Sequence, residues 1–138
     1  MVAYVNRIDA VLAKNPLTET TVLTRTIDLV DSFRITSGEH LERFAGRDRS
    51  EWGYMSTCRL AGGGNTKSYK YPARLTVIAP KGTPAAAIEN LSLFPDQAEV
   101  LLGRGLRYLV VPRSAKCDHS TAMWRATIVI AKQQEVAR

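Results

Sequence analysis

The chain has 138 residues, of which 45% are hydrophobic, 23% charged and 7% aromatic, and its formal charge is +6. That length suits a single domain, residues 1–138, with one core. The composition is too apolar for a disordered chain, and no apolar run reaches the ~18 residues of a membrane-spanning helix.

Tyr4, Ile8, Val11 and Leu12 recur at helical spacing and Pro16 closes the run, which predicts a helix over residues 3–14. Residues 20–30 are rich in β-branched side chains (Thr21, Val22, Thr24, Thr26, Ile27, Val30) and read as a strand. Thr36 with Glu39 forms a capping-box pattern ahead of a short helix at 37–45. A strand follows at 52–60, then the loop signal Ala61-Gly62-Gly63-Gly64-Asn65 and a strand at 74–79 that ends at Pro80. Thr83-Pro84 predicts a cap and first helical residue, opening a helix over 85–91. Three more strands are expected at 98–102, 108–111 and 124–131. Helices early and strands late, without crossover helices, argue for an α+β domain with antiparallel pairing.

Charge is uneven along the chain. Residues 1–69 carry a net +1 and residues 70–138 a net +5. A basic half attracts nucleic acid, phosphorylated small molecules or an acidic protein face. The two cysteines, Cys58 and Cys117, make no disulfide framework, and Cys117-Asp118-His119 has no second pair with which to bind zinc. No metal is therefore expected. The first fourteen residues interrupt their apolar stretch with charges and lack a small-residue cleavage site, so no signal peptide is read there. With reduced thiols, that places the expected site of action in a cytoplasm.

Three segments put polar residues where a buried strand prefers apolar ones. Leu23-Thr24-Arg25-Thr26-Ile27 holds an arginine inside a β-branched run. Gly53-Tyr54-Met55-Ser56-Thr57-Cys58 sets Ser56 and Cys58 on one side of a strand and Thr57 on the other. In Phe94-Pro95-Asp96-Gln97-Ala98-Glu99, Gln97 and Glu99 stand two apart at a strand's beginning, so both project from one face. Glu99 then opens the apolar run Val100-Leu101-Leu102, a costly place for a carboxylate without a function or a partner.

Taken in order, these segments resemble the mono-ADP-ribosyltransferases of the Arg–Ser–Thr–Ser–Glu class, which includes the clostridial Rho-modifying exoenzymes. Arg25 matches that family's strand arginine, Gly53-Tyr54-Met55-Ser56-Thr57 its Gly-aromatic-x-Ser-Thr-Ser segment, and Gln97-Ala98-Glu99 its Gln-x-Glu signature. Tyr71 and Arg74 resemble the aromatic and arginine of its nicotinamide–phosphate loop. Cys58 stands where a second serine is usual, and Thr26 where glycine often follows the arginine. The resemblance implies two packed, mainly antiparallel sheets with a few short helices, reduced here to a minimal catalytic core. It implies NAD as substrate, with Glu99 as the catalytic carboxylate, Ser56 holding it, and Gln97 facing the acceptor. Arg25, Thr26, Ser56, Thr57, Tyr71 and Arg74 become the expected dinucleotide contacts.

The chemistry suits such a set. Nicotinamide leaves a pyridinium as a neutral molecule, so the acid that ordinary glycosidases need is dispensable. One carboxylate can stabilise the developing oxocarbenium charge. An amide at Gln97 fits a neutral acceptor, such as an Asn or Gln side chain or a guanine base. Two other readings stay open on the sequence: a NAD glycohydrolase that uses water, and an inactive module that binds nucleic acid or protein.

Overall fold

Alternation between apolar and polar residues sets the architecture. In strand β4 (Pro72–Ala79) every second residue is buried, and Ala73, Leu75, Val77 and Ala79 are each at most 4% exposed. The computed structural model describes residues 2–59, 69–87 and 98–133. Among these, helix α1 (Val2–Lys14) precedes strand β1 (Thr21–Asp28), helix α2 (Leu29–Phe33) and a 3₁₀ helix (Gly38–Phe44). Strands β2 (Arg49–Glu51), β3 (Met55–Cys58), β4, β5 (Ala85–Ala87) and β6 (Glu99–Leu102) follow. Strands β7 (Leu106–Val110), β8 (Lys116–Asp118) and β9 (Met123–Ile130) complete the fold. No described helix is long and apolar enough to cross a membrane.

The strands form one hydrogen-bonded path in the order β2-β7-β9-β4-β1-β3-β6-β5, with β8 pairing on β9. Pairings between the named strands are antiparallel except β4 with β9. Mainly antiparallel pairing with few short helices is as expected. The strands run in one continuous hydrogen-bonded path with a thin joint. Strand β1 faces β4 along its whole length, whereas it meets β3 at one pair, Thr24↔Cys58.

One face of this path carries the core. Leu23 and Ile27 of β1, Leu75 and Val77 of β4, Val100 and Leu102 of β6, and Ile128 and Ile130 of β9 all lie in it. Leu29 and Phe33 of α2 and Leu41 of the 3₁₀ helix close it over. Each such side chain contributes about 1.5–3 kcal/mol by leaving water. The guanidinium of Arg49 lies 4.6 Å from the ring centres of both Phe33 and Phe44. It also donates to the Tyr108 hydroxyl at 3.2 Å and the Ser32 carbonyl at 3.0 Å, which anchors the short strand β2. Gly38 is needed where it stands, because a Cβ there would clash with the Trp124 ring.

Local chemistry moved several boundaries. The strand expected at 20–30 ends at Asp28, whose carboxylate accepts the Val30 N–H at 3.0 Å and starts α2. Ser37, rather than Thr36, caps the 3₁₀ helix. The helix expected at 85–91 is overturned where it can be seen: Ala85–Ala87 form β5 against β6. The Thr83 hydroxyl turns back to the Pro80 carbonyl at 2.7 Å and does not cap a following helix. The glycine-rich loop at 61–65 lies outside the described residues.

Candidate active site

The joint between β1 and β3 creates the site. Antiparallel strands that meet only at Thr24↔Cys58 separate on either side of it. Continuing the register would bring Arg25 opposite Thr57 and Thr26 opposite Ser56, but these residues do not pair. The result is a split lined by Arg25 and Thr26 on one lip and by Ser56 and Thr57 on the other. At the joint itself, the Thr24 hydroxyl donates to the Cys58 carbonyl at 3.3 Å.

Register also sorts the side chains by face, since directly paired residues project to the same side. Thr24, Cys58 and Glu99 form one row across three strands, and Ser56 lies on that side too. Thr26 and Arg74 share the same face. Ser56 is exposed, and Glu99 is half-buried. Burial first, and then the negative charge of Glu99, push the Cys58 thiol above its ordinary pKa, so it faces that carboxylate as a neutral S–H.

Arg25 points to the opposite face, between buried Leu23 and Ile27. Its guanidinium lies 3.8 Å from the Glu51 carboxylate, with the two side chains 20% and 32% exposed. Thr57 shares this face, and its hydroxyl donates to the Val100 carbonyl at 2.7 Å, stapling β3 to β6.

The strand start expected at Ala98 is corrected. Ala98 has φ 51°, in the left-handed region, and β6 begins only at Glu99. Strand alternation therefore does not extend back from Glu99, and the argument that set Gln97 and Glu99 on one face loses its basis. The Ala98 carbonyl accepts the Arg59 N–H at 3.1 Å, which fixes the entry to β6. Gln97 and Phe94 lie outside the described residues.

Arg74, at the expected start of a strand, belongs to strand β4, in register between Thr26 and Arg125. Tyr71 precedes that strand. Its ring packs on the core and lies under the Lys70 ammonium at 5.5 Å, while its carbonyl accepts the Leu29 N–H at 2.9 Å. Arg25, Thr26, Ser56, Thr57, Arg74 and Glu99 thus stand on the strands around the joint, and Tyr71 directly precedes β4. Glu51 was missed by the sequence reading. Only its alternation with Arg49 could have indicated it.

A cavity of about 610 Å³ lies across the joint from the split, lined in part by Asn15, Thr18, Leu23, Arg59 and Val100. Away from both, Asp9 on α1 receives Arg104 at 2.7 Å and the Tyr54 hydroxyl at 2.7 Å. That cluster ties α1 to the segment just ahead of β3.

Strands β1 and β3, which pair only at Thr24↔Cys58, thus stand beside Ser56 and Glu99. The family model for ADP-ribosyltransferase exoenzymes matches residues 2–134, and the chain belongs to that family. It is an NAD-dependent mono-ADP-ribosyltransferase of the C3 type, and NAD is its substrate.

Among solved structures, the chain is similar to C3stau2 from S. aureus with NAD, at 25% identity and TM-score 0.73, covering 95% of this chain and 71% of that one. It is similar in fold to the C3 exoenzyme of Clostridium limosum, at 24% identity and TM-score 0.74, covering 93% and 67%. The ADP-ribosylating toxin BECa of a C. perfringens binary enterotoxin, solved with NADH, matches at 16% identity and TM-score 0.75, covering 92% of this chain but 34% of that one. No curated protein matches the chain in sequence.

Proposed function

We propose that the chain transfers ADP-ribose from NAD to a neutral nitrogen acceptor on a macromolecule, an Asn or Gln side chain or a guanine base, with Glu99 as the catalytic carboxylate. The observation that carries this reading is the row Thr24–Cys58–Glu99, which sets a half-buried carboxylate beside the split, on the face of Ser56. The bond between ribose C1′ and the pyridinium nitrogen breaks, and its electron pair goes to that nitrogen, so nicotinamide leaves neutral. Glu99 hydrogen-bonds the ribose and stabilises the positive charge that grows on C1′. The acceptor nitrogen then bonds to C1′ and gives up a proton.

Ser56 holds the carboxylate, and Thr26 and the backbone of the split receive the nicotinamide. Arg25 takes the pyrophosphate, because a guanidinium makes two parallel bonds to phosphate oxygens. Arg74 reinforces the positive potential on the face of Thr26. Gln97 orients the acceptor amide, and an acceptor carrying phosphates would be drawn by the basic half of the chain.

Two measurements test this. Biotinylated NAD should label a macromolecule with the wild-type chain and not with Glu99→Ala; full labelling by that variant overturns the role of Glu99. Mass spectrometry of the labelled species identifies the acceptor atom. Gln97→Ala should lose transfer while still releasing free nicotinamide, and equal loss of both removes Gln97 from the acceptor side.

A further inference from the structure

We infer that Glu51 competes with the NAD pyrophosphate for Arg25, and so sets how tightly the dinucleotide is held; this rests on the reading of Arg25 as the phosphate contact. Arg25 is set between two buried side chains, where a guanidinium requires an anion beside it. Glu51 supplies one from β2, the far end of the strand path, reaching across the inner face of the curled sheet.

The contact is poorly matched for a permanent structural pair. At 3.8 Å it gains charge attraction without a directed hydrogen bond, and both groups remain in reach of solvent. The Arg104–Asp9 pair in the same molecule closes to 2.7 Å and adds a second bond from Nε at 2.9 Å. A pyrophosphate offers Arg25 what Glu51 does not, two oxygens at bidentate spacing. Glu51 can also yield without disturbing the fold. Its backbone carbonyl stays bound to the Gly105 N–H at 2.8 Å while the side chain alone turns away. Gly53, with no side chain, passes beside its carboxylate.

Glu51 is accordingly a positioning residue: it keeps the Arg25 guanidinium extended before the dinucleotide arrives and lowers net affinity for anything with a pyrophosphate. A half-exposed ion pair of this kind can hold back binding by up to about fivefold.

Calorimetric titration with ADP-ribose, which keeps the pyrophosphate, and with nicotinamide, which lacks it, tests the inference. Glu51→Gln should tighten ADP-ribose about threefold to fivefold, leave nicotinamide binding unmoved, and lower KM for NAD in proportion. Glu51→Asp, with a shorter reach, should move the same way by less, and Glu51→Gln should have no effect in an Arg25→Gln background. If Arg25→Gln weakens ADP-ribose but Glu51→Gln leaves it unchanged or weaker, the competition is refuted and the phosphate role of Arg25 stands. If Arg25→Gln itself changes nothing, the phosphate reading falls, and this inference falls with it.

Discussion

Strand β1 has two neighbours and treats them differently. Toward β4 it makes eight facing pairs, from Thr21↔Ala79 to Asp28↔Pro72; toward β3 it makes the single pair Thr24↔Cys58. The first seam carries Leu23 and Ile27 opposite Val77 and Ala73, all buried, and belongs to the core. The second does not continue the register to Arg25, Thr26, Ser56 and Thr57. One seam belongs to the core, and the other borders the residues proposed to bind NAD. Stability and activity should therefore separate under mutation according to which seam is touched.

The sharpest separation is expected at Glu99. Glu99→Gln keeps shape and removes charge, so nicotinamide release should fall by about 10²–10³-fold, the scale of losing one transition-state stabiliser. The thermal midpoint should change little, and a large drop in it would make Glu99 a structural residue instead. On the closed seam the pattern inverts. Leu75→Ala empties a site that is 4% exposed and should lower unfolding free energy by about 2–5 kcal/mol, read by urea denaturation.

How legible each seam was in the sequence follows the same division. The closed seam announces itself: the β-branched run of β1 and the strict alternation of β4 can be read from residue types alone. The segments that hold Ser56 and Glu99 could also be picked out, through the order of three short motifs. The split was not, because the absence of pairing between two good strands depends on where β3 begins and how it leans, and no residue type encodes that. Ala85–Ala87 failed for a related reason, as alanine favours helix locally while the edge of β6 offered a strand partner. The partner of Arg25 stayed hidden because Glu51 reaches it only through the curl of the whole path.

A smaller effect sharpens the role of β3. Thr57→Val keeps size and removes the hydroxyl that holds the Val100 carbonyl at 2.7 Å in a site 1% exposed. The bond's loss, with a buried carbonyl left without that donor, should cost about 1–2 kcal/mol. Because Thr57 staples β3 to the strand that carries Glu99, nicotinamide release should fall severalfold as well. A stability loss with unchanged turnover would show that β3 and β6 hold their register without the staple.

The smallest expected change concerns the clamp that fixes α1 near the start of β3. The Asp9 carboxyl lies below its usual value near 3.8, first because Arg104 and then Tyr54 hydrogen-bond its charged form. Its folded pKa is thus lower than its unfolded one, so the contact adds stability above about pH 3.8 and gives it up as the pH falls through the folded value. Asp9→Asn should therefore be slightly less stable than wild type at neutral pH, and the two should converge in acid below the ordinary carboxylate range. The Tyr54 phenol responds in the opposite sense: burial first, and then Asp9, push it up, so it stays a donor throughout the neutral range. The cluster faces solvent, so its contribution should also shrink in high salt. Thermal scans of both proteins from pH 2 to 7 measure the convergence directly. A gap that persists at the acid end would mean that the substituted amide is deficient in shape or hydrogen bonding, and the charge of Asp9 would then not be what ties the helix to the slot.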